Sequence, residues 1–292
     1  MKKKYSFFLC LLLSLTGCNS DQSPTKDEQQ NELPSVYESI TQAYQQKREA
    51  PSKQTTAGFW GWVKKIATAD AKAAAAYAVK HGMKSDWKEA LLVGAAASVE
   101  AALSGKSANI TSTEAGLLPY QTMVLPDVQQ IKSAAFEPNY MDDLGFTHYI
   151  LVNEVLQDSS LAHLSSSDRQ GAIYDKVYEQ AQRLGIETIY DKQEAIALLN
   201  QIQKTADNTS NVYDEQLFTF DTPEEYQAFK AIDQLYTRTF NKIKSHVVFT
   251  AYSKEMESAV LQDSHLSQQT KEVLLLEMAT YRFGYTYYSA SK

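Results

Sequence analysis

From residue 142 to the end of the chain, apolar side chains return at steps of three and four, a period that only helices can place on one face. The clearest helix start is Asp221, Thr222, Pro223, Glu224 and Glu225. Thr222 can accept a bond from an unsatisfied backbone N–H, Pro223 suits a first turn that needs no donor, and Glu225 completes a capping box. Phe229, Ile232, Tyr236, Phe240 and Ile243 then share one face. Asp142 and Asp143 read as caps for a helix carrying Leu144, His148, Leu151, Val152 and Val155. Ser167 and Asp168 open another, through Ile173, Val177, Ala181 and Leu184 to a stop at Gly185, and Asp191 opens one with Ala195, Leu198, Leu199 and Ile202. Helices over 247–261 and 267–288 follow, the last with Leu274, Met278, Tyr281, Tyr285 and Tyr288 in register. The expected fold is all-α, a multi-helix bundle.

Upstream the composition changes. Residues 58–110 open with Gly58, Phe59, Trp60, Gly61 and Trp62 and hold eight alanines between 67 and 79. Gly82 suits a helix C-cap and Ser85 an N-cap, so an Ala-rich αα-hairpin is expected. Ala67, Ala71 and Ala75 on one arm, and Gly94, Ser98 and Ala102 on the other, form small-residue stripes that let backbones approach closely. The longest uncharged run covers ten residues, 90–99, whereas a membrane span needs about 20. A tightly packed hairpin is expected, the other reading being an interfacial element with Trp60, Trp62, Lys64 and Lys65 at lipid headgroups. Residues 111–292 are expected to form a helical domain, entered by a proline-punctuated connection over 106–141 with one extended piece at 121–125. Residues 155–161 and 260–266 differ at one position only. Their flanks do not align, so they read as two uses of one helix stop, Asp and Ser satisfying local backbone groups, ahead of a duplicated hairpin.

The N-terminal residues have another character. Lys2, Lys3 and Lys4 precede an uncharged run over 5–15 that is too short to span a bilayer, the pattern of a signal peptide over 1–17. Leu15, Thr16, Gly17 and Cys18 follow, and this tetrad resembles the lipobox of bacterial lipoproteins, which implies cleavage before Cys18 and diacylation of its sulfur. Cys10 would leave with the leader, so the mature chain of about 275 residues keeps one cysteine, committed to lipid, and builds no disulfide, zinc cluster or thiol nucleophile. Each buried acyl CH₂ contributes about 0.8 kcal/mol, enough in two or three chains to hold a protein at a bilayer. Asn19 after the cysteine, under the sorting rule of that family, implies the outer membrane; Asp21, Asp27 and Glu28 resemble export signals of Bacteroidota lipoproteins and imply exposure at the cell surface. Residues 18–57 read as a lipidated polar tether, with one short helix after Pro34 bearing Val36, Tyr37, Ile40 and Tyr44.

Charge and motifs exclude several classes. Loss of the three leader lysines leaves 25 of the 28 basic residues against 35 acidic ones, which disfavours nucleic acid as a partner. Ser104, Gly105, Lys106 and Ser107 imitate the end of a phosphate loop, but Glu100 stands where its first glycine belongs. No GxGxxG, GxSxG, HExxH or CxxC occurs, and the five histidines lack zinc spacing, so no cofactor, metal site or catalytic residue is assigned. His148 reads as a core histidine on its helix's apolar face, and Glu224 and Glu225 diverge too far to act as an acid/base pair. Tyr252, Tyr281, Tyr285, Tyr287 and Tyr288 read mainly as core and rim; among them Tyr287 and Tyr288, with Trp60 and Trp62, are the candidate binding residues.

The arrangement as a whole resembles uncharacterised envelope lipoproteins of the Bacteroidota. That resemblance places the chain in a family and supplies no activity; the chain's own residues are read as a lipid-anchored, non-catalytic module binding a protein or glycan. Two other expectations are an envelope hydrolase with a site assembled from scattered residues, and a bacteriocin-like membrane-perturbing role for 58–105.

Overall fold

The computed structural model describes residues 35–46, 67–68, 71–79, 87–103, 128–187, 191–197, 200 and 220–290, the last four as backbone only. Chain contacts separate Met1–Glu32, which lies outside the described residues, from a compact unit over Leu33–Lys292. Its elements are α1 (Ser35–Gln46), a helical stretch at 71–79, α2 (Trp87–Leu103), α3 (Val128–Ser133), α4 (Asp142–Leu156), a 3₁₀ turn (Ser159–His163), α5 (Ser166–Arg183), a helical stretch at 192–197, α6 (Pro223–Lys242), α7 (His246–Gln262) and α8 (Gln268–Ala290). The protein is all-α, with no strand among the described residues. The expected extended piece at 121–125 and the hairpin turn around Gly82 and Ser85 lie outside them.

Local chemistry sets most of the helix ends. Thr222 Oγ1 accepts from Glu225 N at 3.2 Å, and Ser245 Oγ caps α7 by accepting from Val248 N at 3.4 Å. Gly185 takes φ +74°, and around it Ile186 N bonds Ala181 O and Gly185 N bonds Gln182 O, each at 2.9 Å, closing α5 as a Schellman motif. Asp191 Oδ1 receives Gln193 N and Glu194 N, as its expected capping role requires. The twin segments act alike: Asp158 Oδ1 accepts from Ser160 N at 3.0 Å and Asp263 Oδ1 from His265 N at 2.8 Å, each just past a helix end.

Three expectations needed adjustment. The α5 cap is Ser165, ahead of the expected Ser167, and accepts from Asp168 N at 3.3 Å. Leu184 and Val36, read as stripe members, are 46% exposed, since each lies at the edge of its helix. Asp142 does not cap α4; Met141 occupies that position and the Asp142 carboxylate turns inward.

α8 is the central post. It packs on α4 and α7 along most of its length and touches α3 and α6, while α1 lies across α6 and α7. Phe229, Ile232, Tyr236 and Phe240 of α6 and Leu274, Met278, Tyr281 and Tyr285 of α8 are all buried, as their spacing predicts. α2 fills the gap between α4 and α5 and is buried at every residue from 90 to 103, whereas an amphipathic arm would have left one face open. Where α4 crosses α8 the backbones nearly touch: a Cβ at Gly145 would stand 2.9 Å from Phe283 Cδ2 and 3.1 Å from the Ala279 backbone.

Candidate functional site

The expected binding residues fall where the structure describes no side chains. Trp60, Trp62 and Cys18 lie outside the described residues, and Tyr287 and Tyr288 continue the backbone of α8 with no side-chain detail. Tyr252, Tyr281 and Tyr285 are fully buried. They join Tyr236, Phe240 and Phe249 in a ring-on-ring cluster whose centroids lie 4.8 to 5.6 Å apart at Phe240–Phe249, Phe240–Tyr281, Phe249–Tyr285 and Tyr236–Tyr252. His148 is 4% exposed inside α4, a core position as read from its helical face.

The ionisable groups with the most perturbed surroundings are residues to which the sequence reading assigned no chemistry. Lys72 reaches from the alanine stretch into the bundle, pairing with Asp233 of α6 and with Glu277 of α8 at 2.7 Å. The side chains of the three are at most 3% exposed. Thr237, one turn after Asp233, donates to its Oδ1 at 3.0 Å and meets the Tyr281 hydroxyl at 3.5 Å. Burial, reinforced by the Asp233 charge and opposed by Lys72, pushes the Glu277 carboxyl up to about 8. Burial thus favours the neutral form of Glu277 far more than solvent would.

One turn further along α8 lies a second assembly. Arg282, with no exposed surface, forks onto both Glu257 oxygens at 2.9 and 2.7 Å, binds the Asp142 carboxylate, and donates to the Ala134 carbonyl. Glu257 also accepts from Asn139 Nδ2 at 2.7 Å and from Ser253 Oγ, which meets the Tyr236 hydroxyl at 2.7 Å. Burial would pull the Arg282 guanidinium down, but Glu257 and Asp142 outweigh it and hold it above its ordinary value. Burial raises Asp142 despite Arg282 and the bond from Phe136 N, and desolvation, then the Arg282 charge, lower Lys254. A third pair, Arg169 on both oxygens of Glu100 at 3.0 and 2.8 Å, ties α5 to α2.

Chemically these are clamps. Each joins elements distant in the sequence, and each acceptor is met by a named donor, the condition under which ionised groups can be buried. His, Cys, Asp and Glu form no metal-holding group among the described residues. The available signal was positional: Glu277, Arg282 and Asp233 fall beside or between stripe residues, and Glu100 ends the apolar run of α2. Nothing local identifies their partners, which lie 25 to 205 positions away. No family model, no curated protein and no solved structure matches the chain.

Proposed function

We propose that this chain is a lipid-anchored protein of the bacterial cell envelope, at the outer membrane, whose helical body is a non-catalytic interaction module for a protein or glycan. The observation that carries the non-catalytic reading is the inward pairing of its perturbed ionisable groups. Lys72, Asp233, Glu277, Glu257 and Arg282 are spent on one another inside the bundle, at side-chain exposures of 0 to 3%. A nucleophile or general base has to meet a substrate; these groups meet helices. The sequence pattern of Lys2–Lys4, the apolar run and Leu15 to Cys18 supports the anchor, and the covered faces of α2 support a packed role for the alanine-rich segment.

The hydrolase reading draws on one observation, the near-neutral Glu277 beside Lys72 and Asp233. Two experiments test these readings. In cells fed an alkyne-tagged palmitate, the wild type takes up label and Cys18→Ala does not; an unlabelled wild type removes the anchor. Lys72→Met lowers thermal stability in the structural reading, because it leaves Asp233 buried without its cation. A variant that keeps its melting temperature but loses turnover of an envelope substrate restores the enzyme.

A further inference from the structure

The described cations differ in what holds them: Lys230 lies over the Tyr226 ring, and Lys254 and Lys271 donate to the Ser133 and Leu261 carbonyls. Lys72, Arg169, Lys176, Arg183, Lys192 and Arg282 each hold a carboxylate. Arg238, Lys242 and Lys244, at the end of α6 and in the turn to α7, have no carboxylate partner among the described residues; Arg238 donates back to the Gln234 carbonyl at 3.1 Å. All three are exposed, and beside them Val247 is 63% exposed. Between residues 226 and 254 the only acidic residue is Asp233, already buried against Lys72. α8 comes to the same place, since Tyr285 donates to the Ile243 carbonyl at 3.1 Å, and it carries no acidic residue after Glu277. Its last turns bring the backbone of Tyr287 and Tyr288 there. Asp143, exposed at the start of α4, belongs to the other side of α8, where Gly145 meets Ala279 and Phe283.

Helix dipoles do not account for this arrangement. A cation at the end of α6 is favourable, but the same spot is the start of α7, where an acid is preferred; α7 has none in its first turn and is preceded by Lys244. Arg238, Lys242 and Lys244 lie within seven residues and raise the local positive potential of a chain whose net charge is −7.

We propose that the α6–α7 turn, with Arg238, Lys242, Lys244 and Val247, is a docking surface for an anionic polysaccharide, one bearing carboxylate or phosphate groups. This deepens the interaction-module reading and rests on it. Charge complementarity selects a polyanion. The single exposed large apolar residue of the turn is too little for a folded protein partner, which needs about 800 Å² per side with an apolar centre. An anionic membrane surface offers the same charge, and the lipid arm of the test separates it from a polysaccharide.

The test uses the full-length lipidated protein in neutral detergent, with alginate as the anionic probe, dextran as the neutral one, and phosphatidylglycerol vesicles as the lipid probe. Alginate binding that weakens with salt and falls about tenfold in Arg238→Gln/Lys242→Gln/Lys244→Gln, while Arg183→Gln leaves it unchanged, is the expected result. Should the triple variant melt early, Lys244→Gln and Lys244→Glu carry the same test: a graded loss, restored by Lys244→Arg, supports the surface. Equal binding by wild type and variants, no binding of alginate, equal binding of dextran, or binding to the vesicles alone overturns it. Palmitate labelling is scored on the same preparation. A chain without label that still loses alginate binding in the variants overturns the anchor and leaves the surface standing.

Discussion

Two regions of this bundle solve burial in opposite ways. Around α6, α7 and α8 the space is filled by rings: Phe240 alone meets Phe249, Tyr281 and Tyr285 at 4.8 to 5.2 Å. Around α2 it is filled by backbone, with alanines, Gly94 and Ser98 letting α4 and α5 close in. Both regions nonetheless hold buried ionisable groups, Lys72 with Asp233 and Glu277 in the first and Glu100 with Arg169 in the second. Side-chain volume thus sets how close the helices come, and the ion pairs restrict which helices can meet. An apolar face of rings or of alanines accepts many partners, whereas a buried charge accepts only its counter-charge.

That contrast can be broken in order of expected size. Arg282→Met leaves Glu257 and Asp142 buried without their cation and is expected to cost about 5 kcal/mol, the upper end for breaking a buried pair, as measured by denaturant unfolding. In the ring region Phe240→Ala opens a cavity and costs about 4 kcal/mol; a loss below about 1 kcal/mol would mean the cluster can collapse and does not behave as a packed core. Glu277→Gln acts through pH. The folded-state pKa of about 8 lies above the ordinary 4.5, so the folded protein binds the extra proton and wild-type stability falls as pH rises through that window. The variant is expected to flatten that slope in melts taken from pH 5 to 8, and an unchanged slope would assign it to another group. In the alanine region the sign of the volume change reverses. Ala96→Leu, at a residue with no exposed surface, overpacks the site and costs about 2 kcal/mol. Smallest is Thr222→Ala, about 1 kcal/mol from the lost cap of α6.

Much of the fold was legible because its determinants are local. Pro223 with Thr222, Gly185, Asp191, and the Asp158 and Asp263 stops act within a few residues of themselves, and the structure uses each as its chemistry suggests. The ionic site was not legible. Asp142 shows why: beside Asp143 and ahead of an apolar stripe it has every mark of a cap, and only the arrival of Arg282 from 140 positions away turns it inward. The tyrosines were legible by their helical spacing: Tyr252, Tyr281 and Tyr285, read mainly as core, are buried against their ring neighbours.

The sequence by itself determined the class of the fold, the positions of most described helices, and where they stop, because period and caps are properties of a few consecutive residues. Tertiary structure alone decided that α2 is covered on every side, that the Glu277 carboxyl is pushed upward, and that Arg282 is the knot joining α3, α4 and α7 to α8. Those outcomes depend on desolvation and on charges at a few ångströms, and both come into being only when distant segments meet.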